Sequence, residues 1–352
     1  ISKLSRQVLD GFQEEFGVDP EFHPSGYLFL ACRPEQWSVL KSNAQLIQFM
    51  GLEADLLEPR EIQRRWPFLH TEDLLGGSYT RGDGYAGPYE VLQGYIKAVR
   101  RRGALLREGV EVTGIAVKRG KVEAVRTATG EKIETPVVVN AAGPFAARIA
   151  AWLGLDLPVI PLRRQVFFTD AFHELPPRIP IIIDLERGWY MRREGEGLLL
   201  SGPQDKEPSW NEKVDFEGRE WAADHSLYRV PVLEQARIAT GWAGLYEISP
   251  DHHAVIGSFP EVGGFICANG FSGHGFMHAP ATGILVSEYI VHGRTKTLDI
   301  HALRPTRFRE GDFIQEPLTA FKNTDFSDWQ GAFDTKAPGG AYGILEQSGG
   351  WT

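Results

Sequence analysis

Cysteine is almost absent from this chain of 352 residues: only Cys32 and Cys267 occur, far apart and inside apolar segments. Two such thiols cannot staple a small secreted fold, and they suit buried free thiols in a reducing interior, so the expected compartment is the cytoplasm. An excess of positive charge is missing as well. Lys and Arg number 37 against 46 for Asp and Glu, a net charge of -9, which argues against a nucleic-acid or anionic-membrane partner because those surfaces need clustered cations to displace counterions. The one basic run, Arg100-Arg101-Arg102, closes a predicted helix, where cations suit the dipole. No apolar run approaches the roughly 18 residues of a bilayer span, and no basic-apolar-small leader opens the sequence. The 42% hydrophobic and 24% charged content is ordinary for a globular chain, with length for about two domains.

Periodicity divides the chain into two styles. Residues 1–16 carry Leu4, Val8, Leu9 and Phe12 on one helical stripe that Gly17 stops; a strand at 27–31, a helix at 34–50 and a short helix at 59–66 follow. Residues 76–87 are glycine-rich, and Pro88 opens a helix that Gly103 ends. Period-two segments around Arg119-Gly120 and Thr129-Gly130 predict a three-stranded antiparallel meander over 110–134. The run Val137-Val138-Val139-Asn140 has the look of a strand covered on both faces. From 158 to 249 strands alternate with Pro- and Gly-rich turns, predicting a second sheet. A buried strand at 265–268, a glycine-rich turn at 270–275 and a helix at 280–291 return to the first style, so two domains interleave. The tail after about 309 takes no assignment.

The segment Asn269-Gly-Phe-Ser-Gly-His-Gly-Phe-Met-His-Ala-Pro280 is the most informative. A buried strand passes through three glycines into a helix, so main-chain N–H groups and the positive helix end converge on one point free of side chains. Such a point suits developing negative charge, as on a flavin ring that receives hydride; a tight packing turn without ligand has the same spacing. Residues 270–283 resemble the C-terminal flavin motif of the D-amino acid oxidase superfamily, in the branch holding sarcosine oxidase, dimethylglycine dehydrogenase and dye-linked L-proline dehydrogenase. Residues 82–104, Val137 to Gly143, Pro161 to Gln165 and Trp242 to Gly257 are similar to that family's successive blocks, so the resemblance covers roughly residues 20–300.

The resemblance implies a mixed α/β and α+β chain: an FAD-binding domain from 1–16, 76–157 and 250–300, an interleaved antiparallel-sheet substrate domain from 17–75 and 158–249, and a tail at 301–352. It implies FAD-dependent oxidation of a secondary or tertiary amine or amino acid, hydride passing to flavin N5 and leaving an imine. It places Gly270, Phe271, Ser272, Gly273, His274, Gly275, Phe276 and Met277 at the flavin, Val112, Ala142 and Gly143 at its adenosine part, and Tyr246, Tyr190 and His274 in the catalytic site. Gly244 stands where sarcosine oxidases link a cysteine to flavin, so the FAD is expected to be noncovalent. Leu199 replaces a lysine that promotes reaction with oxygen, which favours a dehydrogenase using another electron acceptor. Met277 replaces a substrate-binding lysine, leaving Arg163, Arg192 or Arg193 to hold a carboxylate.

Members open with a strand, a Gly-x-Gly-x-x-Gly turn and a helix that hold the diphosphate. This chain, opening at Ile1, is expected to start after them and on its own to aggregate or bind FAD weakly. Gly82-Asp-Gly-Tyr-Ala-Gly87 matches that motif by letter, but residues 76–81 do not read as an apolar buried strand and Asp83 would face a diphosphate, so it reads as a turn before a helix. His274 and His278 precede and enter the helix and share no face, and no thiol or carboxylate completes a set, so no metal is expected. The alternative function is a non-catalytic flavoprotein-like subunit or assembly factor bound to a partner subunit.

Overall fold

Strands whose alternate residues differ in character build the largest sheet of the computed structural model, which describes residues 1–315. In chain order the elements are α1 (Ser2–Asp10), α2 (Phe12–Phe16), β1 (Tyr27–Ala31), α3 (Pro34–Phe49), β2 (Asp55–Leu57), α4 (Pro59–Arg65), β3 (Gly76–Thr80) and α5 (Pro88–Arg101). The middle of the chain gives β4 (Val112–Lys118), β5 (Lys121–Thr127), β6 (Lys132–Glu134), β7 (Val138–Asn140) and α6 (Ala146–Ala151). Then come β8 (Ile160–Thr169), β9 (Ile181–Asp184), β10 (Trp189–Glu194), β11 (Gly197–Gln204), α7 (Phe216–Arg229), β12 (Ile238–Ile248), β13 (Val255–Ser258), β14 (Phe265–Asn269), α8 (Gly275–His292) and α9 (Arg307–Glu310).

Eight strands join in the order β12-β8-β11-β10-β9-β1-β3-β2. All neighbours run antiparallel except β1 and β9, which are parallel. Side chains of a strand point alternately to either face, so register sorts them. Phe29 lies opposite Ile183, and Ile183 opposite Tyr190, one row on one face. On the other face Leu28, Leu30, Ile182, Trp189, Met191, Leu198 and Leu200 are buried in one cluster with Ile62 of α4. Each such side chain contributes about 1.5–3 kcal/mol on leaving water. α7 covers that face: the Trp189 indole N–H donates to Ser226 Oγ at 3.0 Å, and Arg229 pairs with Asp184 and Asp73 at 2.8 Å each.

The meander forms as expected, β4-β5-β6, and Arg119 and Gly120 both take positive φ (51° and 73°) in the tight turn. The third sheet is β13-β14-β7, with β14 and β7 parallel. Two expectations need correction here. β7 is not covered on both faces: it is a short edge strand among the described residues, and Val139 is 38% exposed. Gly76–Thr80, read as no buried strand, is β3 of the large sheet, because its small residues let Trp37 pack onto Gly76 and Ile62 onto Gly77.

α8 also begins earlier than its proline implies. Pro280 lies inside the helix, and the Ala281 N–H next to it donates to Ser5 Oγ of α1 at 3.1 Å. The chain after α8 is anchored by buried Arg307, both of whose pairing nitrogens lie 2.8 Å from Asp251 oxygens. The rest of the tail, 316–352, lies outside the described residues.

Candidate active site

The turn between β14 and α8 requires backbone that most residues avoid. Gly270, Ser272 and Gly273 have φ of 66°, 51° and 93°, and Ser272 takes the left-handed region without being glycine. Its conformation is held by the end of β12. The Ser272 N–H donates to the Glu247 carbonyl at 3.0 Å, the Ser249 N–H to Ser272 Oγ at 3.1 Å, and the Phe271 N–H to Glu247 Oε1 at 3.5 Å. A Cβ on Gly273 would stand 2.8 Å from the Tyr246 ring, so that ring packs directly on the turn. No side chain caps α8, and its opening amides have no partner within the helix.

The open mouth of α8 faces a cavity of about 470 Å³ whose other wall is the large sheet. Of the residues anticipated from sequence, Tyr190, Tyr246, Ser272, Gly273, His274 and Met277 line it together. Gly270, Phe271, Gly275 and Phe276 belong to the same turn and helix start, with Phe271 turned into the core under α8 and Phe276 exposed. Four others do not line the cavity: Val112 on β4, Ala142 and Gly143 after β7, and Gly244 on β12 beside the Trp242 ring. The lining also includes Tyr27, Phe29, Asp83, Tyr85 and Arg192, which the sequence reading did not place at a site, apart from Arg192. The signal was present as the period-two spacing of Tyr27 with Phe29 and of Tyr190 with Arg192.

The cavity is aromatic with few charges. Burial, then Asp83, pushes the Tyr27 phenol up to about 12, and burial with Tyr246 nearby raises Tyr190 further, so both stay neutral donors. Behind the turn, burial lifts the Glu247 carboxyl to about 7 against the Gly270 and Phe271 amides that hold it down, and its Oε2 is buried without a hydrogen-bond partner. His274 and His278 meet after all, their rings stacked 5.7 Å apart, because α8 starts one residue after His274. Burial, with His274 beside it, lowers His278 to about 4.

The three arginines considered for a carboxylate separate cleanly. Arg163 is committed to Asp205 and Asp215 at 2.9 and 2.7 Å. Arg193 is buried and donates to the carbonyls of Phe172, Leu175, Pro176 and Glu196. Arg192 lines the cavity, its guanidinium 4.6 Å from the Tyr85 ring centre and ion-paired with Glu194. Leu199 sits opposite Arg192 in the sheet.

A family model described as FAD dependent oxidoreductase matches residues 1–289. The chain belongs to the FAD-dependent oxidoreductase family. It is 30% identical to the FAD-dependent oxidoreductase domain-containing protein 1 of Bos taurus, over 90% of this chain and 73% of that protein. Human mitochondrial dimethylglycine dehydrogenase is 29% identical, the match covering 86% of this chain and 37% of that longer protein. Among solved structures, L-proline dehydrogenase from P. horikoshii superposes with a TM-score of 0.82 at 30% identity, covering 89% of this chain and 83% of the other. Glycine oxidase from Geobacillus kaustophilus does so with a TM-score of 0.76 at 25% identity, covering 87% and 81%. The α/β fold and the FAD cofactor inferred from the motif hold. FAD also fits this site physically: an uncapped helix mouth beside a cavity suits the electron-rich edge of a ring system. No helix is long and apolar enough to cross a membrane among the described residues.

Proposed function

We propose that this family member oxidises a secondary or tertiary amine or amino acid, with noncovalent FAD. The observation that carries the reading is the joining of the uncapped α8 mouth, Tyr190, Tyr246 and Arg192 around one cavity. The names of the relatives, a dimethylglycine dehydrogenase, an L-proline dehydrogenase and a glycine oxidase, point the same way. When bound, FAD supplies the hydride acceptor at its N5. The amides of residues 275–277 would hold its electron-rich edge, and Ser272, Gly273 and His274 would line its ring. Val112, Ala142 and Gly143 would meet the adenosine part.

The chain's own contribution is placement and charge. Tyr190 and Tyr246 confine the amine, and their apolar ring faces favour its neutral form, whose lone pair assists departure of hydride from the adjacent carbon. Arg192 fixes the substrate's carboxylate. The product leaves as the iminium ion, or as the imine where a secondary nitrogen sheds its proton, and hydrolyses in water. Leu199, apolar on the Arg192 face of the sheet, offers no cation to assist oxygen, which favours a dehydrogenase that passes electrons to another carrier. The two free thiols, with Cys267 buried, fit a reducing interior such as the cytoplasm.

The test is direct. The full-length protein, once purified, is expected to show visible flavin absorbance, to release the flavin on denaturation, and to bleach under anaerobic sarcosine, L-proline or dimethylglycine. Bound flavin that no amine reduces would overturn the reading in favour of a non-catalytic flavoprotein-like subunit.

A further inference from the structure

A second cavity, about 540 Å³, adjoins the first, and the two share Tyr85 and Arg192 in their linings. The wall between them is built on the Gly82–Gly87 loop that mimics a dinucleotide motif. Its backbone is fixed. Tyr85 and His23 exchange N–H to carbonyl bonds of 2.7 and 3.2 Å, the Gly26 N–H donates to Asp83 at 2.7 Å, and the Gly87 N–H to Pro20 at 2.9 Å. A Cβ on Gly84 would stand 1.9 Å from the His23 carbonyl oxygen, so the glycine is required for this close backbone approach. The side chains of the wall meet by ring and charge contacts rather than by backbone bonds: the Tyr85 ring is 5.0 Å from the His23 ring and 4.6 Å from the Arg192 guanidinium.

Charge is distributed unevenly in the second cavity. Glu90 Oε2 and Glu21 Oε2 stand 2.2 and 3.3 Å from the point where a Gly87 Cβ would be. Two carboxylates thus converge at one end, an arrangement that a cation between them relieves. The lining also carries Arg192 and its partner Glu194, with Arg178 and the carbonyl-bound Arg193; Glu194 lines only the second cavity, whereas Arg192 lines both. The hydroxyl of Ser25, also on this lining, is buried without a hydrogen-bond partner. Ammonium-seeking groups at one end and a guanidinium at the doorway match the two charges of an amino-acid zwitterion.

We propose that the second cavity is an antechamber for amino-acid zwitterions: Glu21 and Glu90 hold the ammonium, and Arg192 exchanges Glu194 for the substrate carboxylate as the molecule passes Tyr85. The proposal rests on the amine-oxidation reading and adds to it a route for the substrate and a holding place for its ammonium. The Arg192 guanidinium and the Tyr85 phenol, rather than backbone, form the door.

Anaerobic stopped-flow bleaching of the full-chain holoprotein tests it, with sarcosine and L-proline as carboxylated probes and dimethylamine as the uncarboxylated one. Glu21→Gln with Glu90→Gln is expected to lower kcat/KM for sarcosine about 10-fold and kcat less than about twofold, as for a lost steering charge. Glu194→Gln frees Arg192 and is expected to raise the sarcosine-to-dimethylamine ratio of kcat/KM about threefold or more. Equal kcat/KM in the double variant, or an unchanged ratio in Glu194→Gln, would overturn the antechamber. Calorimetric titration with glycine betaine, a zwitterion with no lone pair on nitrogen, reads the same site without turnover, and its affinity is expected to fall about 10-fold in the double variant. If no amine bleaches the wild type yet betaine binding depends on Glu21 and Glu90, the reaction reading fails and the antechamber stands. If amines bleach it and neither variant differs, the antechamber alone fails. Should the double variant not fold, Glu194→Gln on β10 decides.

Discussion

The two faces of the eight-stranded sheet are made by the same strands, one residue out of step. Trp189, Met191 and Ile182 point into a closed apolar cluster and complete their bonding within the protein, down to the Trp189 indole on Ser226. Tyr190, Arg192 and Ile183 point into the cavity, where Tyr190 is half-buried and Arg192 pairs with the exposed carboxylate of Glu194. The core face is committed, while the cavity face keeps donors and charge available for a ligand. Stability and chemistry are therefore separable on this sheet.

The largest effect should come from the core face. Arg229→Met leaves Asp184, fully buried, with only the longer 3.8 Å contact to Arg187 in place of its 2.8 Å ion pair, and should cost about 3–5 kcal/mol in chemical denaturation; a loss under about 1 kcal/mol would break the contrast. Glu247 sits behind the cavity and tests it through pH. Its carboxyl rises from 4.5 to about 7 on folding, so the stability it contributes is complete below about pH 4.5 and is lost as pH climbs through 7. The difference between wild type and Glu247→Gln should therefore drift by about 3 kcal/mol across that window. His278, lowered from 6.5 to about 4, acts in the opposite sense and is common to both proteins, so it cancels from the difference. A flat difference would show that Glu247 is better solvated than its burial implies.

Gly273→Val places a side chain at φ 93° against Tyr246 and should introduce strain of about 1–3 kcal/mol. FAD titration should show affinity weakened about 10-fold or more. Gly130→Val, at φ 83° with open space around it, should leave FAD affinity unchanged and so separates site geometry from backbone strain. The smallest and sharpest pair is Trp189→Phe against Tyr190→Phe. The first should cost about 1–2 kcal/mol of stability by orphaning Ser226. The second should cost about 0.5 kcal/mol or less in stability and instead lower kcat/KM for the amine.

Much of this was legible in the chain. The Gly270–Gly275 turn was readable because glycines at a strand-to-helix junction have few other uses, and the meander was readable because Arg119-Gly120 and Thr129-Gly130 fix tight turns. Tyr190, Tyr246 and His274 were placed by resemblance, and the fold brings them to one cavity. Tyr27, Phe29 and Tyr85 were missed because period-two spacing shows that a strand has two faces without showing which one looks onto a cavity. β3 was missed because its glycines contribute backbone pairing and room for Trp37 and Ile62, neither of which registers as hydrophobicity. Pro280 misplaced the start of α8 because its remedy, a hydroxyl from Ser5, comes from the far end of the chain.

That long reach recurs in the one parallel seam of the large sheet. β1 finds β9 through a register running from Tyr27 opposite Ile181 to Leu30 opposite Asp184, so about half of the chain must leave the ribosome before either strand gains that neighbour. Until then Tyr27 and Phe29 lie bare beside an unfilled sheet edge, a window for misassociation. The wall of the reaction chamber is thus assembled late, from segments synthesised far apart in time.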